Sequence, residues 1–379
     1  MPERVDEWPS VLRRWRWLAA LIVVASAPAM QPAPARAQSS SAGDRSSQRL
    51  KEERSSELER THREEGEAIL AIADAAMAGR PTPSDFSLTW QNDFIKAQRG
   101  TFVPFTLTVD ASLLSRASAL VYVRATKRAV NDRPRDRRES VPFAVDAIFP
   151  VDLVGEAAGR SRISRGFSVA AGDYDVFVVM RERVEPGVPR SRPKASVLRR
   201  TLVVPEFGGT DLATSSLILA DRMTALGEAV PADRLAERPY VIGLNEITPA
   251  ADRRFKRDEE LIVVFLVYNP TVTSERQFDL KVEYHFFRQT GPGPRVEGGP
   301  SRHPDARPGE TYFNRTEPQR FNPALMGPSF DPRRGEPVLA GQVVPLTGFE
   351  DGEYRLDVLV TDLLTGKSVS RDLVFTVGS

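Results

Sequence analysis

The stretch Phe102–Asp110 reads FVPFTLTVD, and its alternation decides the fold. Val103, Phe105, Leu107 and Val109 fall on one face of an extended chain, at the period of two that a half-buried strand requires. Outward from it the same period recurs. Ala119–Thr126 (ALVYVRAT) has Val121 and Val123 on one face and Leu120 and Tyr122 on the other. Val141–Phe149, Ile163–Val169, Tyr174–Met180 and Val197–Val204 follow, and Phe86–Trp90 precedes. Short strands in such a series, separated by turn-rich segments, predict an immunoglobulin-like sandwich.

A second series begins near Ser215. Ser215–Ala220, Tyr240–Ile247 and Leu261–Tyr268 are strand-like, and Leu280–Phe286 alternates Leu280, Val282, Tyr284 and Phe286 against Lys281, Glu283 and His285. Gly341–Leu346, Tyr354–Val360 and Ser368–Val377 complete it. The two series echo each other. Gly172–Val178 (GDYDVFV) and Gly352–Val358 (GEYRLDV) share a glycine, an acid and a tyrosine entering a late strand. In sandwich domains a tyrosine at this place forms a corner, its hydroxyl bonding the backbone upstream. Tyr174 and Tyr354 are therefore expected to be fold residues.

The fold class expected is mainly β: two tandem immunoglobulin-like β-sandwich modules preceded by a signal peptide and a charged α-helix. Residues 1–37 read as the signal peptide, with Arg13, Arg14 and Arg16 ahead of the apolar run Leu18–Ala27 and a small-residue site at Ala35–Ala37. Residues 38–82 hold a Ser-rich segment and a helix over 47–79, ended by Gly79 and Pro81. Its first half is charged nearly all round, while Ile69, Ile72, Ala73 and Ala76 form a stripe, either for its last turns to dock on the next domain or for a coiled coil or partner, and the stripe is too short for three heptads. Residues 83–205 form module 1, and 206–239 a linker that can include the first strand of module 2. Residues 240–379 form module 2, with a long loop at 289–334.

Composition narrows the chemistry. The chain is 41% hydrophobic and 27% charged, which supplies material for real cores. There is no cysteine, so disulfides, thiolate catalysis and thiolate metal sites are excluded. The three histidines, His62, His285 and His303, lie in separate segments without metal-ligand or triad spacing, and His285 reads as an outward strand residue. Gly366-Lys367-Ser368 lacks the first glycine of a phosphate loop and sits between strands. Asp110-Ala111-Ser112 resembles an adhesion-type metal motif only in part. Of the four tryptophans, Trp90 alone lies beyond the signal segment, which leaves little surface for sugar stacking. No catalytic, cofactor or metal residues are assigned.

Two features invite a partner. Over residues 83–205 there are 20 Lys and Arg against 13 Asp and Glu, a surplus of 7. Much of it lies in two loops, one with Arg133, Arg135, Arg137 and Arg138, the other with Arg190, Arg192, Lys194, Arg199 and Arg200. A rim of this kind attracts an anionic lipid, a polysaccharide or an acidic protein. The long loop carries Tyr312, Phe313, Phe321, Leu325, Met326 and Phe330, which either fold back on the domain or serve a partner, Tyr312 and Phe313 foremost. Nucleic acid is not expected, because no aromatics interleave the charges.

The segments Ser215–Ala220, Phe265–Asn269, Gly352–Leu356 and Thr361–Lys367 together resemble the C-terminal β-sandwich of secreted bacterial GWxTD-type proteins, although the GWxTD motif itself is absent. The resemblance covers roughly the last 165 residues. It implies a secreted, non-enzymatic sandwich and brings no catalytic residues with it. The expected function is an exported interaction or structural module of the cell envelope, periplasmic or extracellular, with no transmembrane span after signal cleavage and no cofactor. The other class is a secreted hydrolase or carbohydrate-binding protein whose acidic residues pair only in the fold.

Overall fold

The computed structural model describes residues 42–128, 143–153, 159–184, 192–231, 234–291 and 306–378, with side chains from residue 59 onward. The expected signal peptide, Arg190, and the loop residues Arg133, Arg135, Arg137 and Arg138 lie outside the described residues. The rest is mainly β and divides into two units. The segment read as a linker is shared between them: residues 210–230 belong to the C-terminal unit, and residues 231–240 to the N-terminal one.

The N-terminal unit is a sandwich of two four-stranded sheets. One holds β1 (Leu88–Asn92), β2 (Ile95–Lys96), β3 (Thr101–Asp110) and β6 (Arg160–Val169). The other runs in the order β5 (Val145–Asp152), β4 (Ser118–Lys127), β7 (Gly172–Glu182), β8 (Ala195–Val204). The alternation of the sequence turns Val103, Phe105, Leu107 and Val109 of β3 toward Val121, Val123, Val176, Val178 and Met180 of the facing sheet. Trp90 stacks on Phe105 with ring centroids 4.2 Å apart.

Pro104 sits inside β3 without breaking it. Its carbonyl accepts from Asp93, which lies between β1 and β2, so its missing N–H falls where the neighbouring strand is interrupted. Gly166 in β6 has a comparable reason. A Cβ there would lie 2.3 Å from the Phe102 ring, and its N–H donates to the Ala236 carbonyl at 3.0 Å. The bare backbone thus admits residues 234–240, whose Tyr240 is buried and bonds Asp93 at 3.2 Å.

The outer face of the β5-β4-β7-β8 sheet carries helix α1 (Ala42–Met77). Ile69 and Ala73 pack on Leu120, Tyr122 and Val179, with Ile72 and Val197 half-buried beside them. Two ionic contacts fix the helix. Glu65, almost fully buried, accepts from the Val184 N–H and pairs with Arg183 at 3.4 Å, and Asp74 pairs with Arg124. The helix starts five residues earlier than the sequence suggests, and it docks by the stripe its pattern offers.

In the C-terminal unit one sheet has the order β11 (Val241–Ile242), β12 (Asn245–Pro249), β10 (Ile218–Ala225), β14 (Glu260–Tyr268), β18 (Val338–Pro345), with β9 (Ala213–Thr214) also on β14. The facing sheet is β13 (Arg254–Lys256), β20 (Ser368–Gly378), β19 (Gly352–Asp362), β15 (Leu280–Gln289), β16 (Glu310–Arg315), with β17 (Gln319–Phe321) also on β15. Between them lie Phe265, Tyr284, Phe286, Phe349, Tyr354 and Phe375, an aromatic core with mostly edge-on contacts.

The expected long loop is not structureless. Beyond the undescribed residues 292–305 it contains β16, β17 and a short helix α2 (Pro323–Met326). Phe313, Phe321, Met326 and Phe330 pack against the core, so the apolar residues of the loop fold back on their own domain. β16, β17 and the parallel strand β13 escape a sequence reading because they are short and only half-buried.

Candidate functional site

The residues singled out in the sequence go to different places. Tyr174 and Tyr354 make the same corner: each hydroxyl donates at 2.9 Å to the carbonyl four residues upstream, of Ala170 and of Glu350. Burial raises the pKa of both phenols, so the donors stay protonated. Tyr312 and Phe313 part company, as neighbours on a strand must. Tyr312 is 51% exposed and meets the edge of Phe287, whereas Phe313 packs against Phe349 and Tyr354 in the core. Of the pair, Tyr312 alone is exposed.

The weak motifs have local roles. Asp110 accepts from the Ser112 N–H at 3.0 Å and its hydroxyl at 2.6 Å, which caps a single 3-10 turn. Those bonds hold its carboxyl below the usual range. Gly366 takes φ 71° in the turn between β19 and β20, and Asp362 organises that turn by accepting from Leu364 and Thr365. Among the described residues no three His, Asp or Glu side chains converge to hold a metal.

A charged cluster that the sequence did not disclose lies on the outer face of the β19 sheet. Register places His285, Asp357 and Asp372 in one row across β15, β19 and β20. Arg355, 2% exposed, donates to both oxygens of Glu310 and at 2.8 Å to Asp357, and stacks over the Phe287 ring. Arg307 reaches Asp372 at 2.9 Å, and its N–H donates to Glu310. The segment from Arg307 to Glu310 is thereby strapped across the face. Burial pulls the Glu310 carboxyl upward, but the bonds from Arg355 outweigh it and leave the group below its ordinary value. For Asp357 burial prevails over Arg355, and its carboxyl is raised.

His285 corrects its expected role. It is 8% exposed, not outward into solvent, because β16 flanks it and Tyr312 lies beside the ring. Neither ring nitrogen has a hydrogen-bond partner, and burial lowers its proton affinity. Only the alternation of Glu283, His285 and Phe287 marks this face in sequence, and nothing there says that a strap will cover it.

The exposed positive charge lies elsewhere. On β8, Arg199 and Arg200 are exposed, with Arg192 before the strand and Arg128 exposed at the end of β4. Arg199 extends over Phe177 of β7, and Arg128 pairs with Asp175 at 3.6 Å. Lys194 is turned back to the Leu113 carbonyl.

No protein-family model matches the chain, and no curated protein matches it. Among solved structures it is similar to the alpha-2-macroglobulin of Salmonella reacted with methylamine, at 13% identity and a TM-score of 0.19. A point mutant of the same macroglobulin gives 14% identity and the same TM-score. Each likeness covers 79% of this chain, which spans 17% of the macroglobulin. Likenesses at that TM-score carry no argument about fold or activity.

Proposed function

We propose that the chain is an exported, non-enzymatic binding module of the bacterial cell envelope, whose partner is an acidic protein or an anionic envelope component. The observation that carries this reading is the division of charge. The buried carboxylates are committed to holding elements together, Glu65 of helix α1 with Arg183, and Glu310, Asp357 and Asp372 with Arg355 and the partly buried Arg307 on the C-terminal sheet. Exposed arginines remain on β8 and around it, in a stretch with a surplus of positive charge. Groups already neutralised by a buried arginine are poor general acids or bases, whereas exposed arginines attract anionic partners at range. The basic n-region and apolar run at the N-terminus support export, with Gln38 as the first mature residue.

The test is capture from an envelope extract by the immobilised chain, at low and moderate salt, with proteins, lipids and glycans identified separately. The expected result is one partner, released by Ser replacements at Arg199 and Arg200 or at Arg133, Arg135, Arg137 and Arg138. Capture that is absent at both salt concentrations overturns the reading. Release of sugars or peptides from envelope polymers by the purified chain favours the hydrolase instead.

A further inference from the structure

Strand β8 is the edge of its sheet, and its hydrogen-bonding directions can be read from two places. Glu182 donates to the Lys194 carbonyl at 2.9 Å, so residue 194 faces β7. Asp85 donates to the Ala195 carbonyl at 3.0 Å, in the bridge that pairs Ser84 with Ser196, so residue 195 faces away from β7. A strand alternates these directions strictly. Leu198, Arg200 and Leu202 therefore bond β7, while Arg199, Thr201 and Val203 aim their N–H and C=O groups off the edge. Among the described residues the Ser84 segment covers only the start of β8, and Pro205 at its end is met by the Thr101 hydroxyl. Arg199, Arg200, Thr201 and Val203 are all exposed, Val203 at 71%.

The side chains around this edge are patterned. Arg199 and Arg200 put a cation on each face of the strand at one end. Val203 puts an apolar side chain at the other, opposite Asp173 of β7. An edge shielded only against aggregation would carry charge along its length. This one has a bare backbone ladder, with a cationic end and an apolar end.

Resting on the binding-module reading, we infer that β8 accepts an extended segment of a partner protein by strand addition at Arg199, Thr201 and Val203. The segment carries acidic residues beside Arg199 and Arg200 and an apolar residue beside Val203. Main-chain hydrogen bonds supply the affinity, and the two ends supply register and selectivity. A lipid or polysaccharide would use the arginines without the backbone ladder, which separates those sources from a peptide.

The experiment uses the purified full chain and a fluorescent peptide of about nine residues, long enough for an ordinary strand, with glutamates in one half and valines in the other. Its control carries N-methyl groups on alternate amides, which keep the charge and remove the ladder. Anisotropy titration is expected to show binding that Thr201→Pro weakens by roughly tenfold or more, about 1.4 kcal/mol per factor of ten. Proline at 201 removes an outward N–H and leaves the β7 ladder intact, so thermal unfolding should be unchanged, which separates loss of binding from loss of fold. Glu replacements at Arg199 and Arg200 should weaken binding and flatten its salt dependence. The inference is overturned if Thr201→Pro or the methylated peptide binds within about twofold of its parent, or if no peptide binds. If peptide binding fails while an envelope component is still captured, the strand-addition site is wrong and the module reading stands. If the peptide binds and nothing is captured from the envelope, the edge site stands and the envelope assignment falls.

Discussion

Replacing Arg355 by Met should unfold the C-terminal unit far more easily than its single-residue size suggests. Met matches the aliphatic stem and keeps contact with Phe287, but removes the guanidinium shared by Glu310 and Asp357. Two carboxylates then stay on a buried face without the cation. Breaking a buried pair of this kind costs ~3–5 kcal/mol, because the remaining charge keeps its desolvation penalty. With a urea slope of about 2–3 kcal/mol per molar, the midpoint should fall by ~1.5 M. The readout is hydrogen exchange of peptides spanning β15, β19 and β20 across a urea series. The variant should also be less impaired at pH 5 than at pH 8. Without Arg355 the Asp357 carboxyl rises further and the Glu310 carboxyl loses the bonds that hold it down, so both rise, are more readily protonated and harmless at low pH, and their cost grows as pH rises through the folded values. Adding Glu310→Gln and Asp357→Asn to Arg355→Met should recover most of the loss, since neither position then holds a charge without its cation. A midpoint change below about 0.3 M for Arg355→Met would refute the reasoning, as would a triple variant no better than the single.

His285 gives a pH dependence of its own. Burial, with Arg315 and Lys281 adding and Glu283 opposing, puts its folded proton affinity below the unfolded value near 6.5. Between those values the unfolded chain binds more protons, so stability should fall as pH drops below about 6.5 and level off beneath the folded value. His285→Phe should remove that part of the slope in urea midpoints taken from pH 7.5 to 5, and an unchanged slope would count against it. Tyr174→Phe and Tyr354→Phe each lose one hydroxyl bond to a backbone carbonyl and should cost about 1 kcal/mol by equilibrium unfolding. Ile69→Asp should release helix α1 from its sheet, making residues near Glu65 cleavable by protease while amides of β3 and β6 stay protected, because the sandwich core lies on the sheet's other face. Equal protection of α1 in the variant would show that Ile69 does not hold it.

Alternation in FVPFTLTVD and in the strands after it was enough to place the cores, because a period of two commits every second residue to one face. The stripe from Ile69 to Ala76 likewise announced a docking helix, and the Gly-acid-Tyr echo announced two corners. Site residues were less legible. Tyr312 and Phe313 look alike in sequence, yet one faces solvent and the other the core, since their strand assignment depends on pairing with β15. The charged row at His285, Asp357 and Asp372 joins residues far apart in the chain, and the cover that buries it comes from a strap at Arg307 and Glu310.

The free edge of β8 makes the same point. Local pattern determined that Ala195–Val204 is a strand and which of its side chains face the core. Which strand lies at the edge, where its neighbour stops, and which amides point outward followed only from tertiary pairing. Side-chain period is set by backbone geometry within a segment, but hydrogen-bond partners and burial are set by segments that sequence distance does not order.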